Sequence, residues 1–573
     1  MQDLIHMLAA VPELQVKTYL AIARYLVPLL TAWLLVLAVK PLLTFRREPE
    51  IWAWLCLPDG NRLPITHWEN IVGRSKKSDI VVDFPTISRN HAVLTRYDDG
   101  SWSISDISSK QSVKVNGKQK EFSVLYPEDE FSIGGLEMKL EPISKAQEVR
   151  LAELRTKASG FGRSAGVLGL LSLLQVIFMT AFLMVGKPEN ASSILLGFGG
   201  ICLTQWLLLL FYRCIRRTSF EVETIAFFLC TMGMAAIATV TPTEAFKQLA
   251  AMILGVFTFL FVGWSLRDLE RAKKIRYLAT AAGLGFLLLT LLFGQEYYGA
   301  MNWIVIGPLS IQPSELSKVC FVFAGASTME RIASKRNLIL FIAYSVLICG
   351  CLALMNDFGT ALIFFCAFLV IAYLRSGNVG TIGLAITALL FAGVLALKIA
   401  PHALRRFAVW RHVWEDPLDA GYQQTRAMMC IASGGLLGLG AGQGWLKYLF
   451  AADSDLVFAT LSEEWGLLMG VMLTLTIVAL ALFAVRSAAV GRSSFYTIGA
   501  CTAASILVTQ TILNVLGTVD VVPLTGVTFP FVSNGGSSMI AVWGLLAFVK
   551  AADTRQNASF AVRMPSRREE DHE

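Results

Sequence analysis

The chain has 573 residues, of which 55% are hydrophobic and only 16% are charged, and its mean hydropathy is +0.58. Soluble domains carry about 25% charged residues, so these values exclude a wholly soluble protein. The formal net charge of +7 arises mainly from basic residues in loops beside apolar runs. That pattern sets membrane orientation and is poor evidence for nucleic-acid binding. The ten cysteines include no CxxC spacing, which favours core residues over disulfides or a zinc site.

The first predicted element is a membrane anchor over residues 20–43. A membrane span needs about 20 apolar residues, and this run is followed by Arg46 and Arg47 without a small-residue cleavage site, so we interpret it as an uncleaved anchor. Twelve further apolar runs predict about thirteen spans in all. These runs begin near residues 164, 192, 222, 247, 277, 314, 338, 358, 380, 464, 496 and 536.

The distribution of basic residues predicts the orientation. Basic residues cluster at 213–217, 267–276, 331–336 and 555–568, whereas the predicted outer loops 241–246, 295–313 and 517–535 contain no Lys or Arg. The one long outer loop, about 400–463, is basic, but long loops cross the membrane regardless of charge. The positive-inside rule therefore places these clusters and the C-terminus in the cytoplasm. Counting spans backwards places the N-terminus outside and the polar segment inside. The expected domains are an anchor (1–43), a cytoplasmic domain with its linker (44–163), two accessory spans (164–221), a membrane core (222–549) and a cytoplasmic tail (550–573).

Between the first two spans the pattern changes to short strands. Apolar or alternating runs occupy residues 51–55, 80–82, 92–97, 102–105, 113–115 and 131–133. Asp-Gly and Asn-Gly turn signals separate them at 59–60, 98–100 and 116–117;. The segment is therefore predicted to form an all-β sandwich.

Three loops of this sandwich carry a recognisable set of motifs. They are Gly73-Arg74-Ser75, Ser88-Arg89-Asn90-His91-Ala92 and Val115-Asn116-Gly117. In this order they resemble the loops of forkhead-associated (FHA) domains, which bind phosphothreonine peptides. Taken singly, Arg74 and Ser88 are ordinary turn residues.

The FHA resemblance implies roles for these residues. Arg74 would pair with the phosphate and Ser88 would donate a hydrogen bond to it, as a charge-assisted anion site requires. His91 would brace the loop. Gln111 stands where the family usually has the asparagine that holds the peptide backbone. The implied partner is a protein that contains phosphothreonine.

Four ionisable residues interrupt apolar segments on the predicted outer side: Glu315, Lys318, Asp357 and Asp455. Such residues are functional hypotheses by default because charge is costly in a membrane. Glu315 and Lys318 are spaced i, i+3, so they can pair and share a cavity. The structural alternatives are a self-satisfied pair for these two residues and a helix cap for each aspartate.

Proline and glycine are concentrated in the last predicted outer loop, over 518–538. Irregular backbone at membrane depth is tolerated only where it is buried in protein or lines a cavity. We therefore expect this loop to re-enter the membrane and form the wall of a site. That expectation fits an enzyme and a transporter equally.

A series of motifs separates these alternatives. They are Gly299-Ala300-Met301-Asn302-Trp303-Ile304, Ile311-Gln312-Pro313-Ser314-Glu315-Leu316-Ser317-Lys318, Asp357-Phe358-Gly359-Thr360, Asp416-Pro417, Gly421-Tyr422-Gln423, Ser433-Gly434-Gly435-Leu436, Asp455-Leu456-Val457-Phe458-Ala459, Glu463-Glu464-Trp465-Gly466 and Pro530-Phe531-Val532-Ser533. In this order, over about residues 222–549, they resemble the FtsW/RodA/SpoVE (SEDS) family. The resemblance implies a multi-pass α-helical membrane protein with a ten-span core. It also implies a bacterial peptidoglycan glycosyltransferase that polymerises lipid II at the outer membrane face.

Site residues follow from this resemblance by position. Asp455 matches the catalytic aspartate and would be the general base for a sugar hydroxyl. Cationic groups would stabilise the developing pyrophosphate charge. The remaining assignments are Lys318 and Arg406 as cations, Glu315 and Asp357 as organisers of the cavity, and Trp303 and Gln312 as further substrate-binding residues. No ligand spacing demands a cofactor, and a divalent cation (Mg²⁺ or Mn²⁺) held by these carboxylates stays open.

The chain departs from the family pattern at several positions. Met301-Asn302 replaces a usual Arg-Arg, Phe450-Ala451 a Pro-Glu, Arg426-Ala427 a Gln-Ser, and Asn534 a tyrosine. Three hypotheses stay open: a lipid II polymerase regulated through its FHA domain, a lipid II flippase that uses the same cavity, and a weakly active scaffold that recruits phosphorylated partners.

The expected partners and location follow from the same resemblance. They are lipid II and undecaprenyl-pyrophosphate-linked glycan, a class B penicillin-binding transpeptidase, and a phosphothreonine protein. We expect a multi-pass protein of the bacterial plasma membrane that acts in division, elongation or sporulation.

Overall fold

The computed structural model of the chain is a helical bundle with a β-sandwich inserted after its first helix. The structure describes residues 12–45, 50–76, 78–97, 100–107, 113–154, 157–297, 299–307, 309–329, 335–376, 379–399, 404, 407–491, 493–555 and 558–559. The expected fold class, a multi-pass helical membrane protein with an inserted all-β domain, is confirmed.

The helices follow the predicted spans closely. Their bounds are α1 Glu13–Leu43, α2 Lys145–Leu154, α3 Phe161–Val185, α4 Ala191–Cys214, α5 Glu221–Val240, α6 Ala245–Leu266, α7 Leu269–Phe293, α8 Pro313–Met329, α9 Lys335–Leu354, α10 Phe358–Ser376, α11 Val379–Ile399, α12 Tyr422–Gly434, α13 Val457–Trp465, α14 Leu467–Ala488, α15 Ser494–Thr518 and α16 Gly536–Ala551. Among the described residues, ten helical segments are long and apolar enough to cross a membrane. The helices α8, α11 and α16 occupy the other three predicted positions.

The inserted domain is built from eleven short strands in two sheets. They are β1 Ala53–Cys56, β2 Arg62–Ile65, β3 Glu69–Gly73, β4 Ile80–Val81, β5 Ala92–Arg96, β6 Trp102–Asp106, β7 Lys114–Val115, β8 Lys118–Gln119, β9 Phe122–Leu125, β10 Glu130–Ile133 and β11 Leu136–Pro142. One sheet has the order β2-β1-β11-β10-β7-β8 and the other β4-β3-β5-β6-β9. Side chains such as Leu94, Trp102 and Phe131 are buried in the domain, as expected where the inner faces of two sheets pack.

At the centre of the bundle lies α5. Its residues from Glu221 to Ala238 are all buried, and a helix that is apolar on every side is stable only when surrounded by other helices. At its first turn, Glu223 Oε2 lies 3.1 Å from Lys550 Nζ on α16. Breaking such a buried ion pair costs about 3–5 kcal/mol. This pair therefore connects the first and last helices of the core.

The β-sandwich contacts this same end of the bundle, which we call the sandwich end. The Glu69 carboxylate of β3 accepts hydrogen bonds from Ser493 Oγ (3.1 Å) and from the Ser494 N–H (3.1 Å). In the segment that connects α1 to the sandwich, the Phe45 ring packs edge-on against Phe483 of α14, with 6.2 Å between centroids. The sandwich is therefore docked on the helices as well as tethered to them.

The opposite end, which we call the loop end, carries most of the irregular backbone. A three-stranded antiparallel sheet, β12 Gln295–Tyr297, β13 Ala300–Ile306 and β14 Leu309–Ile311, connects α7 to α8. The short helices α12 and α13 flank the segment 435–456, and the segment 519–535 connects α15 to α16. Most of the sequence-predicted site residues lie at this end.

Candidate functional site

Asp455 lies at the loop end in the turn that precedes α13, and it is half-buried. The segment 519–535, which the sequence predicts to re-enter the membrane and which we therefore call the re-entrant loop, passes beside its carboxylate. Gly526 of this loop has a φ of +68°, and a Cβ added there would lie 3.3 Å from Asp455 Oδ2. Glycine adopts this left-handed conformation without steric cost and lets backbone approach closely. The loop and the carboxylate therefore meet at a position that suits glycine.

The re-entrant loop is buried along its second half, as its Pro- and Gly-rich sequence predicts. Val527, Phe529, Phe531 and Val532 are buried. The loop also contacts the first turn of α10, where a Cβ on Gly359 would lie 3.0 Å from Val527 Cγ2 and 3.1 Å from Thr525 Cβ. The loop therefore contacts both Asp455 and the helix that Asp357 precedes.

A second aspartate in the same turn has a different environment. Asp453 is buried, and its Oδ2 accepts hydrogen bonds from Thr241 Oγ1 and from Asn534 Nδ2, the latter at 2.9 Å. Asn534, which stands where the family has tyrosine, thus connects the end of the re-entrant loop to this turn. Asp453 is structural, whereas Asp455, two residues later, approaches the loop backbone.

Glu315 and Lys318 form an ion pair on α8. Lys318 Nζ lies 2.7 Å from Glu315 Oε1, and both side chains are almost fully buried. Glu315 Oε2 has no hydrogen-bond partner among the described residues. A buried polar atom without a partner carries a desolvation cost, which a hydroxyl or a water molecule donating to this oxygen would relieve.

Asp357 caps α10. Its Oδ1 accepts a hydrogen bond from the Thr360 N–H at 3.1 Å, in the geometry of a helix N-cap;. Its Oδ2 lies 3.5 Å from Asn302 Nδ2 on β13. The structural alternative of a helix cap therefore holds for Asp357, and one oxygen also faces the residue that replaces a family arginine.

The remaining candidates have different settings. Trp303 is half-buried in β13, opposite Gln295 of β12. The Gln312 N–H donates to Ser537 Oγ at 2.9 Å, which connects α8 to the start of α16. Arg406 lies outside the described residues, so its role stays a prediction.

Sequence reasoning missed the role of Glu463 in this region. Glu463 is buried in α13, and its two carboxylate oxygens accept hydrogen bonds from the N–H groups of Trp445 and Leu446, each at 2.9 Å. Such contacts hold the irregular segment before Asp455 against α13. The Glu-Glu-Trp-Gly motif marked the region, but no local signal identified the backbone that Glu463 binds.

The described carboxylates do not converge on a metal site. No group of three His, Cys, Asp or Glu side chains is placed to hold an ion anywhere in the described ranges. Glu315 is paired with Lys318, and Asp357 is bound to a backbone N–H. Because divalent cations need several converging oxygen ligands, these residues do not fit Mg²⁺ or Mn²⁺ as arranged.

In the β-sandwich, the motif loops lie side by side. The Arg74 N–H donates to the Ser88 carbonyl at 3.0 Å, and the exposed Arg74 guanidinium lies 3.4 Å from the Pro85 carbonyl. A Cβ on Gly73 would lie 2.2 Å from the Arg89 carbonyl oxygen, so the close approach of the two loops requires glycine. Arg74 and Ser88 thus share one edge of the domain.

The buried His91 ring braces this edge. Its Nδ1 accepts a hydrogen bond from the Ser88 N–H at 3.1 Å. Asn116 and Gly117 have φ values of +50° and +75°, as the predicted Asn-Gly turn requires. Gln111 lies outside the described residues, so its contact with a peptide stays a prediction.

Comparison with known proteins agrees with both parts of this architecture. Residues 213–558 match the FtsW/RodA/SpoVE family, described as "Cell cycle protein", and residues 70–134 match the FHA domain. The fold and site together define a multi-span helical membrane protein with polar residues clustered at one end and an FHA domain at the other. The chain belongs to the FtsW/RodA/SpoVE family.

Individual relatives support this membership. The peptidoglycan glycosyltransferase RodA of Mycobacterium tuberculosis (strain ATCC 25618 / H37Rv) is 30% identical over 327 residues, which cover 53% of this chain and 69% of that protein. The probable peptidoglycan glycosyltransferase FtsW of Wigglesworthia glossinidia brevipalpis is 28% identical over 330 residues, 54% of this chain and 83% of that protein. A chain from a peptidoglycan synthase complex superposes with a TM-score of 0.50 at 26% identity, over 58% of this chain and 96% of that chain.

Proposed function

We propose that this protein polymerises lipid II into glycan strands at the outer face of the bacterial plasma membrane. The observation that supports this most is the setting of Asp455, a half-buried carboxylate that Gly526 approaches just before the buried second half of the re-entrant loop. The family membership and the names of the relatives agree with a peptidoglycan glycosyltransferase.

The chemistry requires one base and a stabilised leaving group. Asp455 takes the proton from the 4-hydroxyl of one sugar while that hydroxyl oxygen attacks the anomeric carbon of the next sugar. The bond from that carbon to the lipid-linked pyrophosphate breaks, and the pyrophosphate keeps the electron pair. A positioned base of this kind contributes typically 10²–10⁴-fold in rate. The pyrophosphate is already a good leaving group, so no strong general acid is needed.

Lys318 and Glu315 have a more restricted role in this proposal. Since Lys318 is buried and bound to Glu315 at 2.7 Å, its charge is largely compensated, and the pair organises the cavity. Arg406, on the segment before α12, is then the cation proposed for the pyrophosphate.

An apolar groove at the loop end agrees with a lipid-linked substrate. It has a volume of about 420 Å³ and lies between α12, the start of α14 and the first residue of the re-entrant loop. Its lining includes Met428, Ile431, Leu436, Leu467 and Val519. The polyprenyl tail of lipid II is the occupant that fits such a lining, since apolar chains bind by burial of apolar surface.

The orientation follows the charge distribution. We propose that the sandwich end faces the cytoplasm, because the basic clusters near 213–217 and 267–276 adjoin the ends of α4, α6 and α7 on that side;. Reaction of single introduced cysteines in intact cells with a membrane-impermeant thiol reagent tests this. We expect labelling of Asp419→Cys at the loop end and no labelling of Tyr126→Cys in the sandwich, both of which replace exposed residues. Labelling of Tyr126→Cys without labelling of Asp419→Cys would contradict the orientation.

Two partners complete the proposal. The FHA domain would bind a phosphothreonine protein through Arg74 and Ser88. One structural neighbour belongs to a peptidoglycan synthase complex that is described as coordinating polymerisation and crosslinking, which supports a class B penicillin-binding transpeptidase as the second partner.

The purified full-length protein tests the proposed function directly. We expect it to convert lipid II into glycan strands in the presence of a cognate class B transpeptidase whose own active-site serine is replaced. Transport of a labelled lipid II across proteoliposomes without polymer formation would favour the flippase. A protein that neither polymerises nor transports lipid II, but still binds a phosphorylated partner, would favour the scaffold.

A further inference from the structure

We infer that Asn514 of α15 is a positioning residue for Asp455. Its side-chain amide fixes the backbone that carries the carboxylate relative to the re-entrant loop. This inference rests on the proposed function, because the position of Asp455 matters for catalysis only if Asp455 is the base.

The amide of Asn514 connects two distant parts of the chain. Its Nδ2 donates to the Asp455 carbonyl oxygen at 2.9 Å and to the Val527 carbonyl oxygen at 2.9 Å. One acceptor lies in the turn that carries the base and the other directly follows Gly526. A primary amide has two N–H donors in one plane, and Asn514 assigns one to each acceptor.

The backbone beneath the carboxylate is held at three successive carbonyls. The Asp453 carbonyl accepts from the Asn534 N–H at 2.8 Å, and the Ser454 carbonyl accepts from Ser533 Oγ at 2.6 Å. The Asp455 carbonyl accepts from Asn514. The first two donors belong to the re-entrant loop, whereas Asn514 belongs to α15. Asn514 therefore connects the carbonyl of residue 455 to a long apolar helix.

The setting of Asn514 is rigid. It is 2% exposed and lies in the last two turns of α15, a helix of 25 residues. Its own carbonyl accepts from Thr518 Oγ1 at 2.7 Å. Since Gly526 approaches Asp455 Oδ2 closely, a shift of either bonded carbonyl changes the space above the carboxylate. A misplacement of about 1 Å can reduce a rate by about 10²-fold.

The test uses a near-isosteric change. Asn514→Asp keeps the size of the side chain but replaces the donating amide nitrogen by one carboxylate oxygen, which then faces both carbonyl oxygens;. In the full-length protein we expect kcat for lipid II polymerisation to fall by about 10- to 100-fold while KM for lipid II is unchanged. Thr511→Val is the control, because Thr511 is buried three residues earlier and, within the described part of the chain, its hydroxyl bonds inside its own helix, to the Leu507 carbonyl at 2.8 Å.

A second measurement does not depend on activity. In an Asp455→Cys protein, the rate of modification of residue 455 by N-ethylmaleimide is followed by peptide mass spectrometry. Adding Asn514→Asp should raise this rate by about tenfold, since the loss of two hydrogen bonds lets the segment open locally. Adding Thr511→Val should leave it unchanged. If Asn514→Asp does not fold, Asn514→Gln is used instead, because it keeps the amide one methylene farther out. It should lower kcat and raise the modification rate, each by less than Asn514→Asp.

The outcomes separate the two claims. An unchanged modification rate, or a raised KM with unchanged kcat, would overturn the positioning role of Asn514. A wild-type protein that forms no polymer would instead overturn the proposed function, and the modification rate would still decide whether Asn514 positions residue 455.

Discussion

Glu69 of the FHA domain and Ser493 of the membrane core are hydrogen-bonded to each other, with Glu69 Oε1 3.1 Å from Ser493 Oγ. The other carboxylate oxygen of Glu69 accepts from the Ser494 N–H, the first helical position of α15. A carboxylate at a helix N-terminus satisfies an orphan N–H and complements the helix dipole. Asn514 lies 20 residues further along the same helix, about 30 Å away. One helix therefore connects the FHA domain to the turn that carries Asp455.

This contact leads to a first prediction. The N-cap of α15 is Ser493, whose Oγ accepts a hydrogen bond from the Phe495 N–H and donates one to Glu69. Glu69→Ala removes the acceptor of this hydroxyl and of the Ser494 N–H, and it should destabilise the first turn of α15, since loss of a capping contact costs about 1 kcal/mol. Hydrogen–deuterium exchange at Ser494 and Phe495 in the full-length protein should then be about fivefold faster. Glu121→Ala, at an exposed carboxylate of the same domain, is the control. Equal exchange in both variants would mean that the docking contact does not persist in solution.

The second prediction concerns phosphopeptide binding. Full-length protein in detergent should bind a phosphothreonine peptide in preference to its unphosphorylated counterpart, and Arg74→Ala should abolish this preference. The Arg74 guanidinium is exposed beside Ser88, and removing it deletes a charge-assisted phosphate contact. Arg62→Ala, which removes an exposed arginine paired with Glu141 at 3.3 Å, should leave binding unchanged. If no phosphothreonine peptide of a library binds better than its unphosphorylated counterpart, the domain is a docking module and not a phosphopeptide reader.

The third prediction concerns the buried pair on α8. Glu315→Gln and Lys318→Met should each lower the thermal unfolding midpoint and the polymerisation rate, because either change leaves one buried group without its partner, at a cost of about 3–5 kcal/mol. The double variant should cost less than the sum of the two, by about 0.5–3 kcal/mol.

The exposed pair Glu244–Lys247 provides the control for this cycle. It has the same i, i+3 spacing and a distance of 2.8 Å between Lys247 Nζ and Glu244 Oε1, but both side chains are at least 36% exposed. Its double-mutant cycle should be additive to within about 0.5 kcal/mol. Additivity at Glu315 and Lys318 as well would show that the buried residues act independently.

The positions of the helices could be predicted because each apolar run specifies its own span. Helices α10 and α16 begin at the predicted residues 358 and 536. Helix α7 begins at Leu269, eight residues before the predicted start. The turns before residue 277 carry Arg271 and Arg276, which are too polar for lipid but are good helix formers. A hydropathy argument therefore starts the helix too late.

Elements that depend on distant pairing were missed. Strand β11, the longest of the sandwich, pairs with both β1 and β10, but its charged alternation did not stand out in the sequence. The strands β12–β14 were expected to be loop. Strand formation depends on packing and on partners, which local patterns do not contain.

The same distinction applies to the site. The pairing of Glu315 with Lys318 is a local i, i+3 relation and could be anticipated. The contact of Asn514 with the Asp455 carbonyl spans 59 residues, and no spacing rule predicts it. Asn534 appeared only as a departure from the family pattern, whereas the structure shows that it bonds Asp453 through side chain and backbone.

The most direct test of the account is lipid II polymerisation by purified Asp455→Ala protein, compared with Asp419→Ala, which removes an exposed carboxylate of the same end. Because Asp455 is only half-buried, its loss should leave expression and membrane insertion intact. The account predicts that Asp419→Ala is as active as wild type and that Asp455→Ala forms polymer at least about 10²-fold more slowly. A rate for Asp455→Ala within about threefold of wild type, far from the effect of a lost general base, would contradict the assignment of Asp455 as the base.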